Sequence, residues 1–175
     1  MRGLLIVVAS FAAAFLILRL IGSRLSRNHR SASRILLSHP QAMVWAVIRN
    51  LQELPTWWPE LKKIERLPDQ VGRERWKQTL GNNFTMMMIV VESAAPTRMR
   101  TMIDSEPGAA FGGTWLYELV PSGEGTEVRI IEEGWISDPF FRVFARIIGY
   151  HRTIDSYLRA LAARFGEIAE PSHLL

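Results

Sequence analysis

The chain has 175 residues, 48% hydrophobic and 22% charged, and contains no cysteine. That length and apolar content suit one ordinary globular domain with something to spare, and the missing thiols exclude disulfides, thiolate chemistry and a lipidated cysteine. The net charge of +4 is lopsided: residues 1–35 carry six arginines (Arg2, Arg19, Arg24, Arg27, Arg30, Arg34) and no acid, leaving 15 basic against 17 acidic side chains, a formal −2, over residues 36–175. A nucleic-acid partner requires a basic face on the folded body, so none is expected.

Residues 4–18 are apolar apart from Ser10, and Leu20 and Ile21 continue the run beyond Arg19. Some 18 helical residues at ~1.5 Å each reach roughly 27 Å, close to the ~30 Å hydrocarbon thickness of a bilayer. Residues 1–22 are therefore predicted to be a transmembrane anchor, with Arg19 snorkelling at its end. A cleaved signal peptide is the alternative reading, but no A-x-A site follows the apolar run. Arg19, Arg24, Arg27, Arg30 and Arg34 stand downstream against Arg2 upstream. The charge bias therefore predicts a single-pass membrane protein with its domain facing the cytoplasm. Residues 23–32 read as a basic linker, 33–168 as the domain and 169–175 as a tail.

Within the domain, "ASRILL" is a short β-prone run ended by "SHPQ". Ser38 and Gln41 fit a capping box and Pro40 a first helical turn, and Val44, Val47, Ile48 and Leu51 form the buried stripe of the helix that follows. "ELPTWWPEL" breaks that helix into a second short turn. Strand texture begins at "KKIERL". "RERWKQTL" places Trp76, Gln78 and Leu80 on one face, and "GNN" is a turn. "FTMMMIVVES" is too continuously apolar to have a wet face, so it is central. "RMRTMI", "TWLYELV" and "TEVRIIEEGWI" complete an antiparallel meander of six or seven strands. The chain closes on "SDPFFRVFARIIGYHRTIDSYLRALAARFGE", in which Asp138 caps, Pro139 starts the helix and Gly166 ends it. Phe140, Phe144, Ile147, His151, Ile154, Leu158, Leu161 and Phe165 recur at spacings of four and three, which predicts one long amphipathic helix.

The fold class is thus α+β: a curved antiparallel sheet gripping a long C-terminal helix, with two short helices after the first strand. In "HPQAMVWAVIRNLQELPTWWPELKKIERL", "FGGTWLYELVPSGEGTEVRIIEE" and the closing helix, residues 33–166 resemble the START/Bet v 1-like helix-grip superfamily, especially its polyketide cyclase/dehydrase-like branch. The resemblance implies a cavity between sheet and helix that takes sterols, lipids, polyketides or isoprenoids. Some members of the superfamily transport or sense such ligands, and a few cyclise or dehydrate them. It also implies that Trp57 and Trp58 flank the mouth of that cavity, stiffened by Pro55 and Pro59.

If strand alternation holds, the hollow is lined by Trp76, Gln78, Met86, Met88, Thr101, Trp115, Tyr117 and the helix face at Phe144, Ile147 and His151. Both faces of the Met86–Met87–Met88 run are apolar, so pattern alone leaves its parity open. His151 interrupts an apolar seam, and Glu132 shares the parity of Val128 and Ile130. A His–carboxylate pair in one hollow could orient a ligand's polar head or act as acid and base. His151, Glu132 and Tyr117 are therefore the catalytic candidates if the domain is a cyclase or dehydratase. The four histidines (29, 39, 151, 173) lack metal-ligand spacing, no phosphate loop or serine elbow is present, and neither metal nor cofactor is expected. The leading expectation is a membrane-anchored binding protein for an apolar small molecule. A cyclase/dehydrase enzyme and a protein-docking module using Trp57–Trp58 are the alternatives, and pattern does not address the oligomeric state.

Overall fold

The computed structural model describes residues 2–174. Helix α1 (Arg2–Arg24) leads into strand β1 (Asn28–Leu37), helix α2 (Gln41–Arg49), a 3-10 turn (Leu51–Glu53) and the short helix α3 (Leu54–Trp57). Six strands follow: β2 (Leu61–Gln70), β3 (Arg73–Leu80), β4 (Thr85–Ala94), β5 (Arg98–Ile103), β6 (Phe111–Ser122) and β7 (Gly125–Ile136). Helices α4 (Pro139–Ile148) and α5 (Arg152–Arg164) and a two-residue strand β8 (Ser172–His173) end the chain. The strands make one antiparallel sheet in the order β2-β3-β4-β5-β6-β7-β1-β8. The expected meander and helix grip are present, and β8 adds an edge from the predicted tail.

β1 starts at Asn28, inside the stretch predicted to be linker, because all ten of its residues pair with β7, from Asn28↔Trp135 to Leu37↔Thr126. Its odd-numbered residues point into the fold: Ser31, Ser33, Ile35 and Leu37 are buried. The Ser38–Gln41 capping box does not form. Pro40 occupies the N-cap without a side-chain bond, Gln41 Nε2 instead donates to the Leu119 carbonyl at 2.7 Å, and the Ser38 amide donates to Glu167 at 3.0 Å.

The closing helical run is split. Asp138 accepts from the amides of Phe140 and Phe141 as expected, and Gly166, at φ 72°, ends α5. Between the helices, Gly149 takes φ 90°, a left-handed backbone that side chains resist, so the helical register restarts. α5 is the gripping element: Ile154, Tyr157, Leu158 and Leu161 are at most 1% exposed and share one core with Ile35, Leu37, Met99, Leu119, Val128 and Ile130. Each such burial contributes about 1.5–3 kcal/mol.

α1 is long and apolar enough to cross a membrane and is scarcely buried by the domain. Its C-terminal half lies on α4. Phe15 meets Phe140 at 5.2 Å, Arg19 pairs with Asp138 at 3.3 Å, and a Cβ on Gly22 would collide with the Pro139 carbonyl. Arg142, 7% exposed, clamps the junction. Its guanidinium donates to the carbonyls of Ile136 (2.8 Å), Gly22 and Leu25 (both 3.3 Å) and Ser137 (2.6 Å).

Candidate functional site

A cavity of about 790 Å³ lies between the concave face of β3–β7, the Leu51–Trp58 segment and α4. That volume is at the upper end of the ~300–1,000 Å³ of small-molecule sites. The space survives because α4 diverges from α5 at Gly149, so the sheet is sealed over α5 and left uncovered under α4.

Of the residues expected to line the hollow, Trp58, Gln78, Met86, Met88, Thr101, Trp115, Tyr117 and Phe144 do so. This resolves the methionine parity: Met86 opposes Gln78 and Met88 opposes Trp76 across β3–β4. Trp57, Trp76, Ile147 and His151 are not among the lining residues. Trp57 packs edge-on against Tyr157 at 5.1 Å. Trp76, on the expected face, is buried in the core with the Arg66 guanidinium 5.3 Å from its ring. Ile147 is 75% exposed, because the helix break rotates α4 so that Phe141, Phe144 and Ile148 face the cavity.

Trp58 is not at a mouth. It is 5% exposed, packs against Tyr157 at 5.2 Å and Trp115 at 6.2 Å, and forms part of the inner wall. The tryptophan–proline stretch therefore clasps Tyr157 of α5. The exposed apolar rim lies elsewhere, at Phe84, Phe141, Phe144 and Ile148, which are 41–58% exposed. Phe84 and Phe111 continue the parity of Met86 and Met88 and of Trp115 and Tyr117 to the strand ends, where alternation could have found them, whereas Phe141 sits on α4.

The inner wall carries few polar groups. Gln78 and Thr101 are buried, and Gln78 Nε2 reaches only the Met88 sulfur, at 3.3 Å. Burial pushes the Tyr117 phenol far above its ordinary range, the Glu132 charge adding to the rise and the Thr101 hydroxyl opposing it. Tyr117 is thus a neutral O–H at physiological pH, able to meet a ligand oxygen but not to act as a phenolate base.

Glu132 faces the cavity as expected, but its partner is His29 rather than His151: His29 Nε2 lies 3.2 Å from Glu132 Oε1. The imidazole also stacks on Tyr150, 4.3 Å between centroids and 9° from parallel. Its Nδ1 is buried with no hydrogen-bond partner, which costs about 1–3 kcal/mol. Carrying the inward parity of Leu37 and Ile35 back through Ser33 and Ser31 would have reached His29; the surrounding arginines made that stretch resemble a linker.

His151 lies in the helix break against Ser33 of β1, four residues further along that strand than His29. Its Nδ1 is 3.2 Å from Ser33 Oγ, and its ring stacks on His173 at 3.8 Å. With Asp155, the two histidines bring one possible ligand atom each within 4.8 Å, a proximity no local spacing could announce. Yet Asp155 already accepts from Ser33 at 2.7 Å and pairs with His173 at 2.9 Å. Parallel stacked imidazoles also cannot both aim a lone pair at one ion without turning. The cluster is a satisfied network tying the tail to β1 and α5. A shallower groove of about 480 Å³ beside β1 and β7 is lined by Asn28, His29, Arg30, Glu133, Gly134 and Trp135, so His29 borders both hollows.

Residues 29–166 match the family described as polyketide cyclase / dehydrase and lipid transport. No curated protein matches the chain by sequence. Among solved structures, the Zhui aromatase/cyclase from Streptomyces sp. R1128 superposes with a TM-score of 0.67 at 12% identity, covering 78% of this chain and 93% of that one. A START superfamily protein from Mycobacterium smegmatis gives 0.61 at 16% identity, covering 78% and 96%. A protein from Thermus thermophilus gives 0.64 at 18% identity with the same coverages. At these identities the likenesses establish the fold alone.

Proposed function

Because the chain belongs to the polyketide cyclase / dehydrase and lipid transport family, we propose that it is a membrane-anchored binding protein for an apolar small molecule, a lipid, isoprenoid or polyketide-like compound. The observation that carries this reading is the cavity of about 790 Å³ walled by Trp58, Trp115, Met86, Met88 and Phe144. Aromatic walls supply area, and thioethers adapt to an irregular guest.

The anchor reading draws on α1, which has the length and composition of a span, and on the arginines beside it, which favour a cytoplasmic domain. α4 both rims the cavity and carries α1, so a bilayer around α1 would lie close to the mouth. Tethering raises the domain's concentration where oily ligands reside. Native mass spectrometry of the full chain, extracted in mild detergent and exposed to a lipid extract, tests the binding. Discrete ligand adducts are expected, and a chain that stays empty contradicts it. Retention of the chain in carbonate-washed membranes is the matching expectation for the anchor.

A cyclase or dehydratase is the second reading, favoured by the His29–Glu132 pair in the cavity, which has the make-up of an acid–base couple. Conversion of a linear poly-β-ketone, lost in Glu132→Gln while uptake persists, would support chemistry; uptake without conversion by the unaltered protein supports a carrier.

A further inference from the structure

His29 is built into its position. Its side chain is 10% exposed, held on one face by the Tyr150 ring and admitted on another because residue 134 is glycine: a Cβ there would stand 2.5 Å from His29 Cε1. Glu132 is a carboxylate and only accepts, so in the neutral imidazole their 3.2 Å contact puts the hydrogen on Nε2 and leaves Nδ1 a bare lone pair. That lone pair has neither donor nor solvent, although His29, Tyr150 and Gly149 all border the cavity. Buried acceptors are nearly always paired in working proteins, so Nδ1 wants a donor from a guest. Tyr150 stacks 9° from parallel on the imidazole's face, so it backs the ring and does not occupy the plane in which the Nδ1 lone pair points.

The charge of the wall narrows the guest further. Glu60, Glu132, His29 and the two tyrosines Tyr117 and Tyr150 are its ionisable groups, and among the described residues no lysine or arginine lines it. An anionic head would meet Glu132 with no counter-charge, whereas a hydroxyl gives Nδ1 the proton it lacks. Resting on the cavity reading above, we propose that His29, oriented by Glu132 and backed by Tyr150, is the acceptor for a hydroxyl on an otherwise apolar ligand. The ligand class is then a hydrophobic alcohol rather than an ether, a hydrocarbon or a fatty anion.

The full chain in lipid nanodiscs, titrated with 1-decanol and with its isomer methyl nonyl ether, tests this through the emission of the cavity tryptophans Trp58, Trp115 and Trp135. Comparing the ratio of the two affinities between variants cancels partitioning into lipid. The unaltered protein is expected to prefer decanol about tenfold, the worth of one hydrogen bond to an otherwise unpaired acceptor, and to bind decanoate more weakly than decanol. His29→Phe, which keeps the stack on Tyr150, should bring its ratio about tenfold below that of the unaltered protein, with ether affinity held within about twofold. Gly134→Ala, which crowds the imidazole out of its seat, should lower the ratio in the same direction and serves if His29→Phe does not fold. Equal binding of alcohol and ether by the unaltered protein, or a ratio untouched by His29→Phe, overturns the hydroxyl assignment while leaving the cavity reading intact. Binding of neither compound overturns both.

Discussion

α4 and α5 are consecutive, both amphipathic and separated by three residues, yet they live in opposite surroundings. Along α5 the apolar face is sealed, with Ile154, Leu158 and Leu161 at 0% exposure. Along α4, Phe141, Phe144, Ile147 and Ile148 remain 41–75% exposed. The same kind of residue is structural cement in one helix and uncovered surface in the other. Gly149 makes the difference, by letting the chain leave the sheet before the cavity is filled. A contiguous exposed apolar face beside a cavity is what a ligand- or membrane-facing element looks like, and α4 also carries α1.

The contrast is broken most severely on the α5 side. Leu158→Ala removes a fully buried side chain that cannot be replaced by water, and should cost about 3 kcal/mol in urea unfolding. Arg142→Leu strands the carbonyls of Gly22, Leu25, Ile136 and Ser137. A loss of roughly 2 kcal/mol is expected, with faster proteolysis between α1 and β1 as its signature. Gly149→Ala forces a side chain into the left-handed region, and about 1 kcal/mol should be lost, with α4 loosened while the α5 core persists. Ile147→Ser lies at the other extreme: stability within about 0.5 kcal/mol of the parent, because the side chain is already outside.

The phenols sharpen the comparison through pH. Burial raises both Tyr117 and Tyr157 well above their usual range, the neighbouring Tyr117 adding to Tyr157. A group raised in the folded state withholds no stability below its unfolded value, near 10 for tyrosine. Above that value the unfolded chain ionises and the folded chain does not, so stability falls as pH rises. Unfolding midpoints should therefore be flat across neutrality and drop above about pH 10, and Tyr157→Phe should make that drop shallower.

Much of this contrast was written locally. The Asp138–Pro139 start, the Gly166 stop and the alternation of Thr101, Trp115, Tyr117 and Glu132 depend on near neighbours, and they read correctly. The split at Gly149 did not, because a seam of three-and-four spacings runs on through a break that preserves apolar positions on either side. His151 was misassigned for that reason. His29 was overlooked because Arg24, Arg27 and Arg30 made its surroundings resemble a tether, whereas ten pairs with β7 make them a strand. Trp57 and Trp58 signalled an aromatic cluster, but their partner Tyr157 lies about a hundred residues away, and only the fold brings it to them.

The central claim is that a guest occupies the space under α4. Ala145 lines that space from α4 and is half-buried, so Ala145→Trp inserts an indole into the cavity without disturbing α5. Binding of a neutral fluorescent hydrophobe such as N-phenyl-1-naphthylamine should weaken at least tenfold in this variant while the circular dichroism spectrum and unfolding midpoint stay close to the parent's. A well-folded Ala145→Trp protein that takes up the probe as tightly as the parent would contradict the account.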